Sequence, residues 1–480
     1  MAKMGPHKCL LTHLRPSWFS SIPLGFSVNG SLISHFGSKM PAARRRDRRG
    51  AGGRDQPTQH REGRSTVRSR SLSIRLLFTS LLLLLLAVVA IAALFIVYRG
   101  DESGIKGTAP PSLSVYERGL VKPNVDYHEI LAENSRFSEN TSRRHFPNPV
   151  LAYVTPWNSR GYEMAKLFGS KLTHISPIWY ELKSEGKKLV LEGRHNVDKE
   201  WISELWNNGH PLVLPRVVLE ASPMDLLLKK KQWNKAIDII IKECKDMGYD
   251  GIVLESWSRW AAYGILHDPD LRNMLSSFDV QALDFIKQLG KALHSVDLTR
   301  RTDDHKLELI YVIPAPRSPN LNEYDFGPRD LQQLCDAVDG FSLMTYDFSG
   351  PQSPGPNAPL NWVHTSLSML VGDSDAKNHA RKILLGLNFY GNDFLIPEGG
   401  GEAITGRDYI SLLEKHKPVL RWDNISAEHF FVYPHNYQRH TVFYPSLISL
   451  STRLEEARAW GAGISIWEIG QGLDYFFDLL

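Results

Sequence analysis

Cysteine is scarce in this sequence, since its 480 residues include only Cys9, Cys244 and Cys335. So few thiols exclude a disulfide-stapled scaffold and a multi-cysteine zinc site. The histidines that follow residue 98 show no H-x-x-x-H spacing, and we expect neither a metal nor a cofactor. Hydrophobic residues make up 42% of the chain and charged residues 22%, a balance typical of a globular protein with a full core.

Acidic residues are nearly missing from the first 75 positions. This segment carries 15 Lys and Arg against 3 Asp and Glu, a net charge of +12, which leaves −8 for the remainder. Nucleic acid is not an expected partner of a mildly acidic body, because phosphate binding needs patches of Lys and Arg. Residues 1–75 are rich in Ser, Gly, Arg and Pro and lack a sustained apolar period, so we expect a disordered basic tail.

Charge is absent altogether from residues 76–98, LLFTSLLLLLLAVVAIAALFIVY. At about 1.5 Å per residue, this run is long enough to cross a hydrocarbon core of about 30 Å as a helix. Because arginines precede the run, the positive-inside rule predicts the signal anchor of a single-pass type II membrane protein, with residues 1–75 cytosolic and the body lumenal or extracellular. A cleaved signal peptide, leaving a secreted or lysosomal protein, is the alternative. The N-terminal arginines could also form a nuclear-localisation or nucleic-acid-binding tail.

The next segment, residues 99–147, contains GTAPPSLS and ENTSRRHFPNP. This composition predicts a stalk between the membrane and the body. Asn140-Thr-Ser and Asn424-Ile-Ser are N-glycosylation sequons on the predicted lumenal side.

From residue 148 onward, eight short apolar runs alternate with helical patterns. The runs are VLAYV 150–154, LTHIS 172–176, PLVLP 211–215, DGIVLE 250–255, LELIYVI 307–313, GFSLMTY 340–346, KILLGL 382–387 and GISIW 463–467. Near-continuous apolar strands between helices indicate parallel strands that are buried on both faces. Eight such units, with no G-x-G-x-x-G after the first run, predict an α/β fold: a single (β/α)8 TIM barrel over residues 148–480. The long seventh connection predicts a small α+β insertion at about 392–444, before the last helix.

Aromatic and polar residues follow the predicted strands at their carboxyl ends, where such barrels place their binding sites. Flat apolar faces with scattered hydrogen-bonding groups suit sugar rings, so an oligosaccharide ligand is expected here. The candidate ligand-binding residues are Tyr153, Trp157, Glu255, Trp257, Tyr346, Asp347, Asn388, Tyr390 and Trp467.

The order and content of these motifs resemble glycoside hydrolase family 18, the chitinases and chitinase-like proteins. The motifs are LAYVTPW, LTHISPIWY, YDGIVLESW, GFSLMTYDFS, KILLGLNFYG and GISIWEIGQG, and they cover residues 148–480. With PGPNAPLNWV and the C-terminal IWEIGQGLDYFFDLL, the set is similar to the chitinase domain-containing protein branch of that family. The resemblance implies a chito-oligosaccharide as the default ligand and a chemistry that uses no metal.

The sequence departs from the family at the fourth strand, where catalytic members read D-x-x-D-x-D-x-E. Asp250, Val253, Glu255 and Trp257 occupy these four positions. In the family the final Glu protonates the glycosidic oxygen, and the Asp two residues earlier orients the acetamido group of the sugar. Alternation along a strand would place positions 253, 255 and 257 on one face, with Glu255 roughly 6.6 Å deeper than the acid position.

By the same resemblance, Tyr346 and Asp347 match the family's substrate-positioning pair, and Trp467 matches its sugar-stacking floor. The first hypothesis is therefore a carbohydrate-binding, chitinase-like protein without hydrolase activity. The second is an atypical glycosidase that uses Glu255 as its acid, with a pKa raised by burial beneath Trp257. The third is a barrel that serves only as a scaffold for an unidentified protein partner. Glu255 could also be a core carboxylate that is paired with Arg216 or hydrogen-bonded to Tyr346.

Overall fold

The computed structural model describes residues 113–480 apart from 187, 208–210, 228, 263–277, 297–305, 319–324, 373–375 and 398. The predicted basic tail (1–75) and the predicted membrane anchor (76–98) lie outside the described residues. Within the described ranges, no helix is both long enough and apolar enough to cross a bilayer.

Parallel strands form a closed barrel. Its eight positions are β1 (Val150–Val154), β2 (His174–Glu185), β4 with β5 (Leu212–Val213 and Arg216–Leu219), β6 (Gly251–Glu255), β7 (Glu308–Pro314), β8 (Gly340–Met344), β9 (Ile383–Asn388) and β15 (Gly463–Trp467). Strand β1 pairs with β2 on one side and with β15 on the other, which closes the sheet. The third position is split because Pro215 has no N–H to donate to the ladder. The predicted (β/α)8 barrel is confirmed.

Helices surround the barrel. The described helices are α1 (Tyr127–Glu133), α2 (Ser159–Leu167), α3 (Lys199–Asn207), α4 (Pro223–Leu227), α5 (Lys230–Met247), α6 (Trp257–Ala262), α7 (Phe278–His294), α8 (Pro328–Leu334), α9 (Leu360–Val371), α10 (Ala376–Ala380), α11 (Gly406–His416) and α12 (Leu447–Trp460). Helix α5 shows the rule that forms them, because Trp233, Ile237, Ile240 and Cys244 repeat at helical spacing and are all buried. The helix ends at Met247 and is capped by Gly248, whose φ of 74° is a left-handed conformation that favours glycine.

Two apolar layers stabilise the barrel. The inner layer fills the space that the strands enclose and contains Leu151, Tyr153, Leu214, Val253, Ile310, Val312 and Leu384. The outer layer lies between strands and helices, and it includes Cys244, which is a free thiol, as is Cys335. Burial on both faces explains why the strands read as near-continuous apolar runs.

A second sheet lies between β9 and β15 in the chain. It is antiparallel, and its strand order is β11 (Gly401–Ile404), β10 (Gly391–Ile396), β14 (Gln438–Phe443), β13 (Glu428–His435) and β12 (Arg421–Asp423). The barrel sheet has its own antiparallel strand, β3 (Lys188–Glu192), which pairs with β2. Helix α11 packs on the second sheet through Tyr409, whose ring centroid lies 6.1 Å from that of Phe431. Residues 391–443 thus form a small α+β unit.

The segment before the first strand is not a stalk from residue 113 onward. Val115, Ile130 and Phe146 are at most 3% exposed. Asp478 in the C-terminal 3-10 helix accepts the Ser138 N–H at 2.9 Å. The stalk predicted over 99–147 is therefore wrong for its described part, because the apolar residues in it are buried against the barrel. Residues 99–112 lie outside the described residues.

Candidate functional site

A buried ion pair lies at the carboxyl end of the barrel, where β5 and β6 run side by side. Arg216 donates to one Glu255 carboxylate oxygen from Nε, at 2.7 Å, and also from Nη2. Arg216 is 7% exposed, and the Glu255 side chain is 15% exposed. The Arg216 guanidinium carbon also lies 5.5 Å from the ring centroid of Trp467, within the range of a cation–π contact. Of the two partners expected for Glu255, the structure therefore selects Arg216.

Two aromatic residues on neighbouring strands stand beside this pair. The ring centroids of Tyr153 and Trp467 are 5.3 Å apart, with the planes tilted by 54°. The Tyr153 hydroxyl donates to Ser342 Oγ at 2.8 Å, and Ser342 Oγ donates to Ser465 Oγ at 3.1 Å. Burial raises the pKa of Tyr153, so its phenol stays neutral and fixed at neutral pH. Packing and hydrogen bonds therefore hold this aromatic wall rigid.

Asp347 and Tyr390 form a second polar group on the strand ends of β8 and β9. The Tyr390 hydroxyl donates to the Asp347 carboxylate, and Asn388 Nδ2 donates to the Tyr390 carbonyl at 2.8 Å. Desolvation raises the pKa of the Asp347 carboxyl group, while the bond from Tyr390 and the charge of Arg317 oppose this rise. Asp347 has a φ of +58°, and its N–H donates to Asn357 Oδ1 at 2.9 Å. The Asn357 side chain therefore stabilises the left-handed backbone of Asp347 at the site.

Tyr346 connects the two polar groups. Burial raises its pKa strongly, its neighbours Tyr153, Asp347 and Glu255 raise it further, and Arg216 lowers it. Its ring lies edge-on to Tyr390, with centroids 6.3 Å apart. The structure thus brings together Tyr153, Glu255, Tyr346, Asp347, Asn388, Tyr390 and Trp467.

Trp257 is not on the face that the sequence predicts. Strand β6 ends at Glu255 and helix α6 begins at Trp257, so the alternation of a strand does not reach this residue. The Trp257 ring packs edge-on against Phe326 at 5.2 Å in the outer layer and is 6% exposed. Val253 does point into the barrel, where it is fully buried. The family's acid position therefore falls outside the barrel interior. The predicted placement of Glu255 beneath Trp257 is wrong, because Trp257 packs in the outer layer.

Trp157 lies on the loop after β1 with 65% of its surface exposed, so it lies at the edge of the barrel mouth.

Asp250 precedes β6 at the opposite end of the barrel, where its carboxylate accepts the Val213 N–H at 2.9 Å. No group of three His, Cys, Asp or Glu in the described part of the chain could hold a metal ion.

Glu468 is a buried carboxyl group that contacts the loop before α2 rather than the candidate site residues. It follows Trp467 directly and is fully buried; Asn158 Nδ2 donates to it, and so does the Gly470 N–H at 3.2 Å. Burial raises the pKa of Glu468 to about 7. Its buried contact with Asn158 joins the end of β15 to the loop before α2.

The chain matches the model of Glycosyl hydrolases family 18 over residues 224–472, more than half of its length. It is 25% identical over 288 residues to Endochitinase 1 of Metarhizium anisopliae, covering 53% of this chain and 63% of that protein. A chitinase from Chromobacterium violaceum has a similar structure, with a TM-score of 0.55, 22% identity, and coverage of 69% of this chain and 98% of the other. A class V chitinase from Nicotiana tobaccum, solved as a mutant in complex with NAG4, gives a TM-score of 0.52 at 15% identity, covering 69% and 97%.

Proposed function

Because the chain belongs to glycosyl hydrolase family 18, we propose that its barrel binds N-acetylated oligosaccharides, with chito-oligosaccharides as the default ligand, and does not hydrolyse them. The buried Arg216–Glu255 ion pair is the observation that carries this proposal. The chain spans only 63% of the length of the endochitinase that it matches, so the activity of that whole protein is not assigned to this chain.

Hydrolysis in this family needs a proton donor at the glycosidic oxygen. The residue at the family's acid position is Trp257, which has no acidic proton and lies in the outer layer. Glu255 accepts two N–H bonds from Arg216 on one carboxylate oxygen. Protonating Glu255 would sacrifice this charge-assisted contact, so Glu255 is suited to accept hydrogen bonds rather than to supply a proton.

Aromatic and polar side chains at the barrel mouth support binding of a sugar. Trp467 is partly exposed and can offer ring surface to a pyranose face, and Tyr153 fixes its position. Tyr346, Asp347 and Tyr390 supply hydroxyl and carboxylate groups for sugar hydroxyl and amide groups. An aromatic floor with a few convergent polar groups is the usual composition of a small-ligand site.

The test is a titration with N-acetylglucosamine oligomers beside a hydrolysis assay, on the wild-type protein and on Glu255→Gln. We expect binding by the wild type, background hydrolysis, and a loss of binding for Trp467→Ala on the order of 1–3 kcal/mol. Turnover that disappears in Glu255→Gln would replace this proposal with the atypical glycosidase. Failure of every glycan to bind would favour the scaffold for a protein partner.

The glycosidase remains the second candidate because two carboxyl groups, those of Glu255 and Asp347, lie at the carboxyl ends of barrel strands. The Glu255 side chain is inside the barrel and retains 15% exposure, and the pKa of Asp347 is raised. A carboxyl group with a raised pKa can hold a proton nearer to neutral pH. In that candidate, Glu255 is the acid and Asp347 assists it.

We further propose that residues 76–98 anchor the protein as a type II membrane protein, with the barrel lumenal or extracellular. Asn140 and Asn424 are both exposed, as an acceptor for N-glycosylation has to be. Protease added to sealed microsomes should spare residues 149–480, and Asn140→Gln with Asn424→Gln should remove the glycan mass. Digestion of the barrel without detergent would show that the barrel is cytosolic and would contradict the proposed orientation. A soluble mature protein would indicate a cleaved signal peptide.

A further inference from the structure

Three histidines of the insertion lie around the ring of Tyr433. His416 is the last residue of helix α11, His435 is the last residue of β13, and His440 lies on β14. The Tyr433 ring centroid lies 4.2 Å from that of His416 and 4.7 Å from that of His440. The ring centroid of His435 lies 6.3 Å from that of His416 and 6.0 Å from that of His440. We call these three histidines the histidine cluster.

The Asp393 carboxylate on β10 contacts this cluster. Asp393 Oδ1 lies 3.0 Å from His440 Nδ1, and Asp393 Oδ2 accepts the Tyr433 hydroxyl at 2.5 Å. The side chains of Asp393 and His440 are 12% and 16% exposed, so water screens their contact little. Burial raises the pKa of Tyr433, and the charges of Asp393 and Glu402 on β11 raise it further, so the phenol stays neutral. Asp393 can therefore balance the charge of one protonated histidine, His440.

His416 is poorly placed to carry a positive charge. Its Nε2 atom is buried and makes no hydrogen bond to any described residue. A protonated imidazole donates from both ring nitrogens, so protonation would leave a buried N–H without an acceptor. Burial lowers the pKa of His416, and neighbouring positive charges lower it further against the opposing charge of Asp393; they belong to Lys415, His435 and His440. The folded insertion therefore binds a proton at His416 more weakly than the unfolded chain does.

Helix α11 is attached to the insertion sheet by two contacts of different chemistry. Near its start, Tyr409 stacks on Tyr444, with ring centroids 4.2 Å apart and planes 11° from parallel. Burial raises the pKa of both phenols, so this contact carries no charge near neutral pH. At the end of the helix, the contact is the stacking of His416 on Tyr433. Protons therefore act on the end of the helix and not on its start.

We propose that the histidine cluster is an acid-sensitive switch, which holds the end of helix α11 on the insertion sheet at neutral pH and releases it in acid. When His440 is protonated, Asp393 balances its charge, but protons on His435 and His416 meet positive neighbours. Release lets water solvate the charged His416, so the open form takes up the proton. The stabilisation from His416 is complete above the ordinary histidine pKa of about 6.5 and is lost as pH falls from there through the lowered pKa. The switch does not depend on the proposed function, because none of its groups is a candidate sugar ligand.

Hydrogen exchange of the full-length protein, followed by mass spectrometry and corrected for the intrinsic effect of pH, tests this switch. Between pH 7.5 and 5.0, amides in the last two turns of helix α11 should lose protection, by up to about tenfold per pH unit for one proton taken up on opening. Amides of barrel strand β8 should keep theirs. His416→Phe retains a ring on Tyr433 but binds no proton, so it should abolish the loss. Asp393→Asn should enlarge the loss, because it removes the charge that opposes repulsion in the cluster.

The matched control is His195→Phe, since His195 is an exposed histidine outside the insertion, and this variant should respond to pH as the wild type does. Equal protection of helix α11 at both pH values in the wild type would overturn the switch. A loss that persists in His416→Phe would show that acid acts on another group. Loss of protection in β8 together with helix α11 would show unfolding of the whole body. If His416→Phe does not fold, Asp393→Asn still decides, because an unchanged or smaller loss in that variant contradicts the switch.

Discussion

At the scale of single residues, the site depends on where β6 ends. The sequence pattern predicts correctly that Val253 and Glu255 face the barrel interior, because a period of two holds within a strand. It fails at Trp257, because the chain enters helix α6 there and the period changes. The family motif D-x-x-D-x-D-x-E does not indicate where the strand ends, so the change from strand to helix between Glu255 and Trp257 could not be predicted from it.

Restoring the family motif should not restore hydrolysis. We expect no turnover from the combined change Val253→Asp, Glu255→Asp and Trp257→Glu, because position 257 lies in the outer layer against Phe326. Trp257→Glu alone should destabilise the fold by roughly 3–5 kcal/mol, since it buries a carboxylate in an apolar layer. Urea unfolding and a hydrolysis assay measure the two effects, with Trp257→Phe as the control. Turnover by the triple variant would contradict this placement of position 257.

The ion pair should show strong coupling between its two members. Arg216→Met leaves the Glu255 carboxylate buried without its partner and should cost about 3–5 kcal/mol of unfolding free energy. Adding Glu255→Gln should recover part of that loss, because the uncompensated charge is then removed. A double-mutant cycle of urea unfolding measures the coupling. Additive costs would show that the two groups act independently.

At the scale of elements, the connection after β8 is held by a buried charge pair between the insertion and helix α12. Glu428 accepts the N–H groups of Asn357 and Ala358 at 2.9 and 2.6 Å, and Arg453 of helix α12 donates to the same carboxylate at 3.2 Å. Asn357 then accepts the N–H of Asp347. The insertion therefore positions a residue of the barrel mouth.

The sequence predicts the insertion by its length alone. Its contact with the site could not be predicted, because the pairing of Glu428 with residues some 70 positions earlier depends on the tertiary fold. The strands themselves were predictable, because each is a short apolar run that is buried on both faces.

The junction of β15 with the loop before α2 should respond to pH. The pKa of Glu468 is raised to about 7 by burial, so the folded protein binds this proton more tightly than the unfolded chain does. The stabilisation from this group is complete below the ordinary glutamate pKa and is lost as pH rises towards 7, up to about 3 kcal/mol. Glu468→Gln should remove this loss, which urea unfolding between pH 4.5 and 7.5 would detect. A variant with the same pH slope as the wild type would contradict the assignment.

At the scale of the whole molecule, residues 113–147 belong to the body. The sequence misses this because Pro, Ser and Thr in the segment suggest an extended linker, whereas three widely spaced apolar residues decide its burial. Arg118 lies 3.5 Å from Asp478, and the His145 N–H donates to the Leu480 carbonyl at 2.6 Å. Residues 113–147 and the C-terminal 3-10 helix with Leu480 therefore stabilise each other.

Removing the Asp478 carboxylate should release this segment. Asp478→Ala leaves the buried Ser138 N–H without its acceptor, at a cost of about 1–3 kcal/mol. Limited proteolysis should then cut within residues 113–147 faster than in the wild type. Asp238→Ala, an exposed position on helix α5, is the control and should cut at the wild-type rate. Equal rates for Asp478→Ala and the wild type would show that the packing does not depend on this carboxylate.

The pairing of β1 with β15 also determines when the barrel can fold during synthesis. Ala152 lies opposite Ile466, so the contact that closes the sheet joins residues more than 300 positions apart. Until β15 has left the ribosome, the nascent chain exposes two open strand edges, on β1 and on β9. A contact between residues so far apart in sequence is slow to form, and open apolar strand edges can pair with other chains. The growing polypeptide therefore exposes these two edges to other chains until its last barrel strand has been synthesised.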